Sequence, residues 1–218
     1  MSRTTPALDA ALLRDGATAL GLSLDAGQEA QLLSLASELI RWNQTVNLTA
    51  VDQPRDVIIQ HLLDSLSVHA DITGTKVADV GTGGGFPGLP LAILQPGRRF
   101  LLIDSVGRKL RFVAHAARLL GLANVTTLQS RVEDLPPTPQ DCVVSRAFAP
   151  LPRLLHWVGP LCDPDTRVLA MKGVWPPPPG SPDEGPWPPR WRLASVRRLE
   201  VPGLPSQRHL LTLYRDAA

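Results

Sequence analysis

Asp79, Asp104, Glu133, Arg146 and Lys172 each stand at or just beyond the end of a short apolar run, and Gly81, Gly83, Gly84 and Gly85 follow the first of them. Glycines packed this densely let the backbone turn sharply and come close to a ligand. Gly83, Gly85 and Gly88 fit the pattern G-x-G-x-x-G, and Asp104 follows at the distance of an acid that grips a ribose, so a dinucleotide cofactor is one reading. Asp79 supports another. A carboxylate two residues before the first glycine repels a pyrophosphate but attracts an ammonium or a sulfonium. S-adenosyl-L-methionine carries both cations together with a ribose for Asp104, so these residues favour a methyltransferase over an NAD-dependent oxidoreductase.

The elements that must position these groups follow from periodicity. Val77, Ala78 and Val80 suit a buried strand, and Pro87 with Leu89, Leu91, Ile93 and Leu94 suits the start of a helix. Strand, glycine loop and helix in that order are where open α/β sheets hold nucleotide-like ligands. Arg99 to Ile103 predicts a second strand ending in Asp104-Ser105, and Val106 to Leu120 predicts a crossover helix stopped by Gly121. Asn124 to Leu128, Cys142 to Ser145 and Val168 to Met171 predict three further strands. Their ends lead into Ser130 to Leu135, into Arg146-Ala147-Phe148 and into Lys172-Gly173. Strands alternating with helices require right-handed crossovers and a parallel sheet, whose carboxyl rim then gathers the charged residues and the loop. Trp191 to Glu200 and Arg208 to Tyr214 add two strands, one antiparallel and inserted near an edge, for a seven-stranded Rossmann-like α/β sheet.

Ahead of the sheet the chain reads as helical. Apolar residues recur at helical spacing from Pro6 to Leu22, Asp25 with Gln28 can start a helix carrying Leu32, Leu35, Leu39 and Trp42, and Pro54 to Val68 repeats Ile58, Leu62, Leu63 and Leu66. Asn43 to Ala50 is a polar break between them. Residues 1–73 are therefore read as a helical subdomain and 74–218 as the ligand-binding domain. His61 and Asp64 are three apart on one helix, where a hydrogen-bonded pair serves packing more readily than chemistry. Between Val174 and Arg190, eight prolines exclude helix and central strand and predict an extended or mobile connection.

A length of 218 residues, 44% of them hydrophobic, suits one domain of ordinary size with an added terminal element. The net charge of +2 is too small to establish nucleic-acid binding by itself; that requires arginines gathered on one face. Two cysteines rule out a structural zinc cluster of cysteines, and no His, Asp or Glu set has metal-ligand spacing, so no metal is expected. With no leader segment and no apolar run near membrane-spanning length, a cytoplasmic enzyme with free thiols, acting as a monomer and away from membranes, is expected.

The motifs together resemble the bacterial small-subunit rRNA methyltransferases of the glucose-inhibited division protein B family. The resemblance runs through Trp42-Asn43, Asn47-Leu48-Thr49, His61 with Asp64-Ser65-Leu66, Asp79 to Gly88, Asp104-Ser105 and Arg131-Val132-Glu133. It continues through Ser145-Arg146-Ala147, Lys172-Gly173 and Arg208-His209-Leu210. It implies a class I S-adenosylmethionine-dependent methyltransferase fold and methylation at N7 of one guanine (position 527) in the 530 loop of 16S rRNA. The partner so implied is 16S rRNA within the small ribosomal subunit or an assembly intermediate. By position, the resemblance places Asp79, Gly81, Gly83 and Phe86 along the cofactor, Asp104 at its ribose and Val132-Glu133 at its adenine. Arg146 falls at the junction of cofactor and substrate and is the candidate catalytic residue. The chain departs from the family between Lys172 and Arg190, where relatives are partly helical, and at Gln207, where an acid is frequent.

Guanine N7 suits what the sequence lacks. Methylating a pyrimidine carbon needs a rim cysteine, whereas Cys142 is mid-strand, and the Asn/Asp-Pro-Pro-aromatic motif used on exocyclic amines is absent after the fourth strand. The N7 lone pair lies in the ring plane without a proton, so transfer needs only in-line approach. Arg146 or Lys172 could hold guanine O6 or a phosphate. Arg41, Arg131 and Arg208 are candidate phosphate contacts, and Trp42 and Phe148 candidate stacking partners. A non-catalytic RNA-binding module remains the other alternative to the enzyme.

Overall fold

A computed structural model describes residues 8–217. Helix α1 (Ala10–Ala19) begins where Asp9 accepts the Leu12 N–H at 3.0 Å; Pro6 and Ala7, which the periodicity includes in this helix, lie outside the described residues. Helix α2 (Ala26–Val46) opens with the expected reciprocal cap, Asp25 accepting from the Gln28 amide at 2.8 Å and Gln28 accepting from the Asp25 amide at 3.1 Å. It ends at Asn47, which adopts φ +50°. Asn43 shapes this exit: its Oδ1 accepts the amides of Leu48 at 2.7 Å and Thr49 at 2.9 Å, and its Nδ2 donates to the Thr49 carbonyl.

The single helix expected over Pro54 to Val68 is a composite. Helix α3 (Pro54–Val57) passes into a π-helical turn (Ile58–Leu63) and then α4 (Asp64–Leu66). Ile58, Ile59, Leu62 and Leu63 are all buried, and pairs spaced four apart fit an ordinary helix as well as the wider turn, so the apolar pattern does not mark the π-helical turn. Such turns recur at functional sites, and this one carries His61.

The sheet comprises β1 (Lys76–Val80), β2 (Arg99–Asp104), β3 (Val125–Gln129), β4 (Cys142–Arg146), β5 (Arg167–Lys172), β6 (Trp191–Arg198) and β7 (His209–Arg215). Their spatial order is β3-β2-β1-β4-β5-β7-β6, with β1 to β5 parallel and β7 antiparallel to both its neighbours. The expected inserted antiparallel strand is therefore β7. Side chains alternate as the pleat demands: Val77, Phe100, Leu102, Val144 and Leu169 join one core, while Ala78, Val80, Ile103, Val143 and Val168 join the other. The first core is shared with α1 to α4, α5 (Gly88–Leu94) and α6 (Gly107–Leu119), and the second with α7 (Leu151–Trp157).

The proline-rich segment contains neither helix nor strand, as expected, yet it is anchored. Trp175 and Trp187 pack against the second core, and Asp183 Oδ1 accepts both the Leu151 amide at the start of α7 and Lys172 Nζ, each at 2.6 Å. Among the described residues no helix is long and apolar enough to cross a membrane.

Asn43→Ala strips two amides of their acceptor at once and frees the Asn47–Thr49 turn. We expect a loss of about 2–3 kcal/mol in urea unfolding at unchanged m-value, with Asn43→Asp, which keeps the acceptor, losing less than half as much.

Candidate active site

The glycine loop is braced by two carboxylates. Asp79, fully buried at the end of β1, accepts the Thr82 hydroxyl at 2.6 Å and the Gly88 amide at 2.8 Å through Oδ2. A Cβ on Gly88 would stand 2.7 Å from that oxygen, so only glycine admits this approach. Asp79 Oδ1 is buried with no hydrogen-bond partner among the described residues, and burial pushes the carboxyl up to about 6. Asp104 closes the other side, accepting the Gly83 amide at 2.9 Å and the Val106 amide at 2.8 Å.

Three cavities lie along the segment Arg146–Phe148, two of them lined by Arg146 and Ala147 and two by Phe148. The first, of about 110 Å³, lies beside Gly81 and is walled by Asp104, Ser105, Val132, Glu133 and Phe148. The second, of about 170 Å³, adjoins the glycine loop and is walled by Thr49, His61, Gly83, Phe86, Lys109 and Arg146. The third is an open cleft of about 610 Å³ between Arg146, Phe148, Lys172, Asp183 and Arg208. Gly81, at φ +69°, lets the Phe148 ring pack directly on its backbone; a Cβ there would fall 2.0 Å from the ring.

Arg146 is held from the helical layer. Its Nη1 donates to the Gln60 carbonyl and to Asp64 Oδ2, both at 2.9 Å, and Nη2 donates to His61 Nδ1 at 3.2 Å. Because arginine can only donate, His61 must accept at Nδ1 and carry its proton on Nε2, which faces Thr49 Oγ1 at 2.9 Å. Burial, reinforced by the Arg146 charge, lowers the His61 pKa to about 3 and keeps the ring neutral. That ring stacks on Phe86 with centroids 4.8 Å apart. Five guanidinium hydrogens less these three leave Nε–H and one Nη2–H for a ligand.

His61 and Asp64 are therefore not bonded to each other, as a same-face pair would be; both serve Arg146. Asp64, 1% exposed, also faces Arg208 Nε at 3.3 Å. Sequence reading missed this pairing, although a buried acid on an apolar helix is itself a signal that a cation must reach it. Of the arginines considered for phosphate contact, Arg41 pairs with Glu38, Arg131 with Glu133 and Arg208 with Asp64. Against the upward push of burial, its own backbone amide and Arg131 hold the Glu133 carboxyl below the usual range. Trp42 sits in the helical layer, edge-on to Phe112 at 5.6 Å, whereas Phe148 lines the cleft and packs 5.5 Å from Trp157. Cys142 is fully buried and pushed up to about 11, which leaves no thiolate at the rim.

The residues present fit S-adenosylmethionine, the cofactor that the resemblance implies. Asp104 offers carboxylate oxygens at the wall of the Gly81 cavity, Val132 gives that wall an apolar surface, and the backbone at Gly81 is open to close approach. Asp79, expected along the cofactor, instead lies beneath the loop: it is fully buried, lines none of these three cavities, and braces Thr82 and Gly88 from within. The sheet order also separates this fold from dinucleotide-binding sheets, which lack an antiparallel strand between the last two.

The raised Asp79 pKa carries a sign. A carboxyl near 6 in the folded chain and near 3.8 when unfolded stabilises fully below the lower value and loses that contribution as pH rises through the higher one. His61 acts oppositely, its contribution being present above 6.5 and lost as pH falls through about 3. In the difference between Asp79→Asn and the parent the His61 effect cancels. Between about pH 4 and pH 7.5 that difference should move by about 2.4 kcal/mol in the variant's favour; a flat difference in denaturant titrations contradicts the buried, unpartnered oxygen.

Comparison with known proteins agrees with this geometry. The family model described as rRNA small subunit methyltransferase G matches residues 28–178. A curated protein of that name from Pseudomonas paraeruginosa is 46% identical over 208 residues, 94% of this chain and 95% of the relative. Another, from Pseudomonas fluorescens, is 43% identical over all of both chains. Among solved structures, a SAM dependent methyltransferase from Aquifex aeolicus aligns with TM-score 0.56 at 18% identity, over 77% of this chain and 97% of that one. TrmN from Thermus thermophilus aligns with TM-score 0.54 at 20% identity, over 80% of this chain and 53% of that one. These two share the fold alone, whereas the family match over residues 28–178 and the identity to the curated relatives over nearly the whole chain show that the chain belongs to the rRNA small subunit methyltransferase G family.

Proposed function

We propose that this protein transfers a methyl group from S-adenosylmethionine to N7 of guanine 527 in the 530 loop of 16S rRNA. Its substrate is the small ribosomal subunit or an assembly intermediate, and it acts as a cytoplasmic monomer. Two supports carry this: membership of a family whose curated members are named for small-subunit rRNA methylation, and Arg146, held with two unspent N–H donors between the glycine-loop cavity and the open cleft.

When bound, S-adenosylmethionine supplies an electrophilic methyl on a sulfonium. The chain's residues have then only to hold and aim. Asp104 receives the ribose hydroxyls, Val132 and Glu133 border the adenine, and Gly81, Gly83 and Phe86 line the path toward the methyl. Asp79 shapes the loop from beneath through Thr82 and Gly88. The N7 lone pair forms the new bond as the methyl leaves sulfur, and no proton moves, so no general base is required. Arg146 fixes the base by donating to guanine O6, as arginine does at guanine edges, while Lys172 lies within reach of a flanking phosphate. Phe148 supplies a face on which the extruded base can stack. Residues 1–73 act as the helical subdomain that orients Arg146, and residues 74–218 bind cofactor and substrate.

The test is methyl transfer from labelled S-adenosylmethionine to small subunits lacking the modification, followed by mapping of the label. We expect label at N7 of guanine 527, and a loss of about 10²-fold or more in kcat for Arg146→Ala. Arg146→Lys keeps a positive partner for Asp64 and guards against simple unfolding, yet lacks the planar fork and should remain strongly impaired. Asp64→Asn should lower kcat more than it raises KM, since it loosens the arginine without touching substrate. Label at another atom, or none on subunits and free rRNA, overturns the assignment.

A further inference from the structure

We infer that the outward face of α6 is a contact surface for the phosphate backbone of the RNA substrate, an inference that rests on the rRNA reading above. The helix carries Arg108, Lys109, Arg111, His115 and Arg118 and contains no Asp or Glu. Steps of three, four and three place Arg108, Arg111, His115 and Arg118 on one stripe of a 3.6-residue helix, about 15 Å from first to last. Leu110, Val113, Ala116 and Ala117 bury the other side.

What distinguishes this stripe is that its unspent charge is gathered on one helix face; Arg55, Lys76, Arg99 and Arg153 are also exposed without an ion pair among the described residues, but they are scattered along the chain. Arg192, Arg197 and Arg198 on β6 are each paired with an acid, as are Arg131, Arg146 and Arg208 at the rim. Arg108, Arg111 and Arg118 are exposed and form no ion pair among the described residues. The acid packed nearest, Glu38 of α2, is shared by Arg41 and His115, the latter at 2.9 Å. The stripe also breaks two local rules. Like charges three and four apart on a helix repel, and cations in a first turn oppose the helix dipole, which favours acids there. An anion laid along the face relieves both costs at once.

The position of α6 gives the anion its identity. The helix starts directly beyond Asp104, at the rim, and its first turn also carries Lys109, which lies about 100° round the helix from Arg108 and walls the cavity it shares with Arg146. A strand whose target base enters the cleft beside Arg146 can carry its neighbouring phosphates along α6. Contacts of this kind position without reading sequence and make affinity depend on salt.

The experiment compares the full-length parent with Arg108→Gln/Arg111→Gln/Arg118→Gln, using unmethylated small subunits. Glutamine keeps helix propensity and removes the repulsion, so the fold should hold, which circular dichroism and S-adenosylhomocysteine binding verify. We expect KM for the subunit to rise about tenfold near 0.15 M salt, kcat at saturation to be unchanged, and the slope of log affinity against log salt to flatten by about 2. Arg192→Gln/Arg197→Gln/Arg198→Gln, which removes paired arginines, should leave the slope as in the parent. If the parent methylates subunits and the α6 variant keeps the parent's KM and slope, the inference is wrong. If the α6 variant instead loses binding to phosphatidylserine vesicles while its subunit KM is unchanged, the face is a lipid surface and the inference is equally wrong. A parent that transfers no methyl refutes the functional reading instead, and the salt slope of its RNA binding then decides the surface separately.

Discussion

A carboxylate taken out of water must be met by charge, and Asp64 is where this chain meets that demand. At 1% exposure, among buried leucines of the π-helical turn and α4, it accepts Arg146 from the end of β4 and faces Arg208 from the approach to β7. Removing one partner from such a group leaves an uncompensated buried charge, a cost of about 3–5 kcal/mol. The helical layer and the sheet rim are thereby locked in one relative position. Arginine suits the task because a planar fork can bond Asp64, Gln60 and His61 and still keep donors for a ligand; an ammonium on a flexible stem cannot.

The glycine loop is built on the same economy of carboxylates. Asp79 and Asp104 together accept three loop or helix amides and a hydroxyl, so the loop's shape is set by polar bonds rather than by side-chain packing. The cost appears at Asp79, whose pKa is pushed up to about 6 by burial with one oxygen left unpartnered. That local weakness is the cost of fixing Thr82 and Gly88 from beneath the loop.

For a reaction that moves no proton, rigid placement is nearly all that the protein must supply, and the distribution of charge matches that division of labour. Cations at the rim are tied to acids and hold fixed positions, while those on α6 are free to screen phosphate. The proline-rich segment follows the same logic. It has no regular structure, yet Asp183 accepts the first amide of α7 and anchors Lys172, so a stretch without helix or strand still fixes one wall of the cleft.

Much of this was legible in the sequence because it depends on neighbours along the chain. Short apolar runs marked the strands, the capping residues Asp25 and Gln28 marked the start of α2, and Asp79 before its glycines favoured a cationic ligand over a pyrophosphate. The family resemblance, carried by motifs spread along the chain, supplied the substrate class. The interior of Pro54 to Val68 was less legible, since apolar residues spaced three and four apart satisfy an ordinary helix as well as a widened turn. What only the tertiary structure decided was pairing. Asp64 and Arg146 lie 82 residues apart, and whether an acid meets a histidine on its own helix or an arginine on a distant strand depends on which surfaces the core brings together. The same holds for charge. Sequence counts twenty-two basic and twenty acidic residues, but only packing determines which cations are already neutralised and which, as on α6, remain to meet a partner.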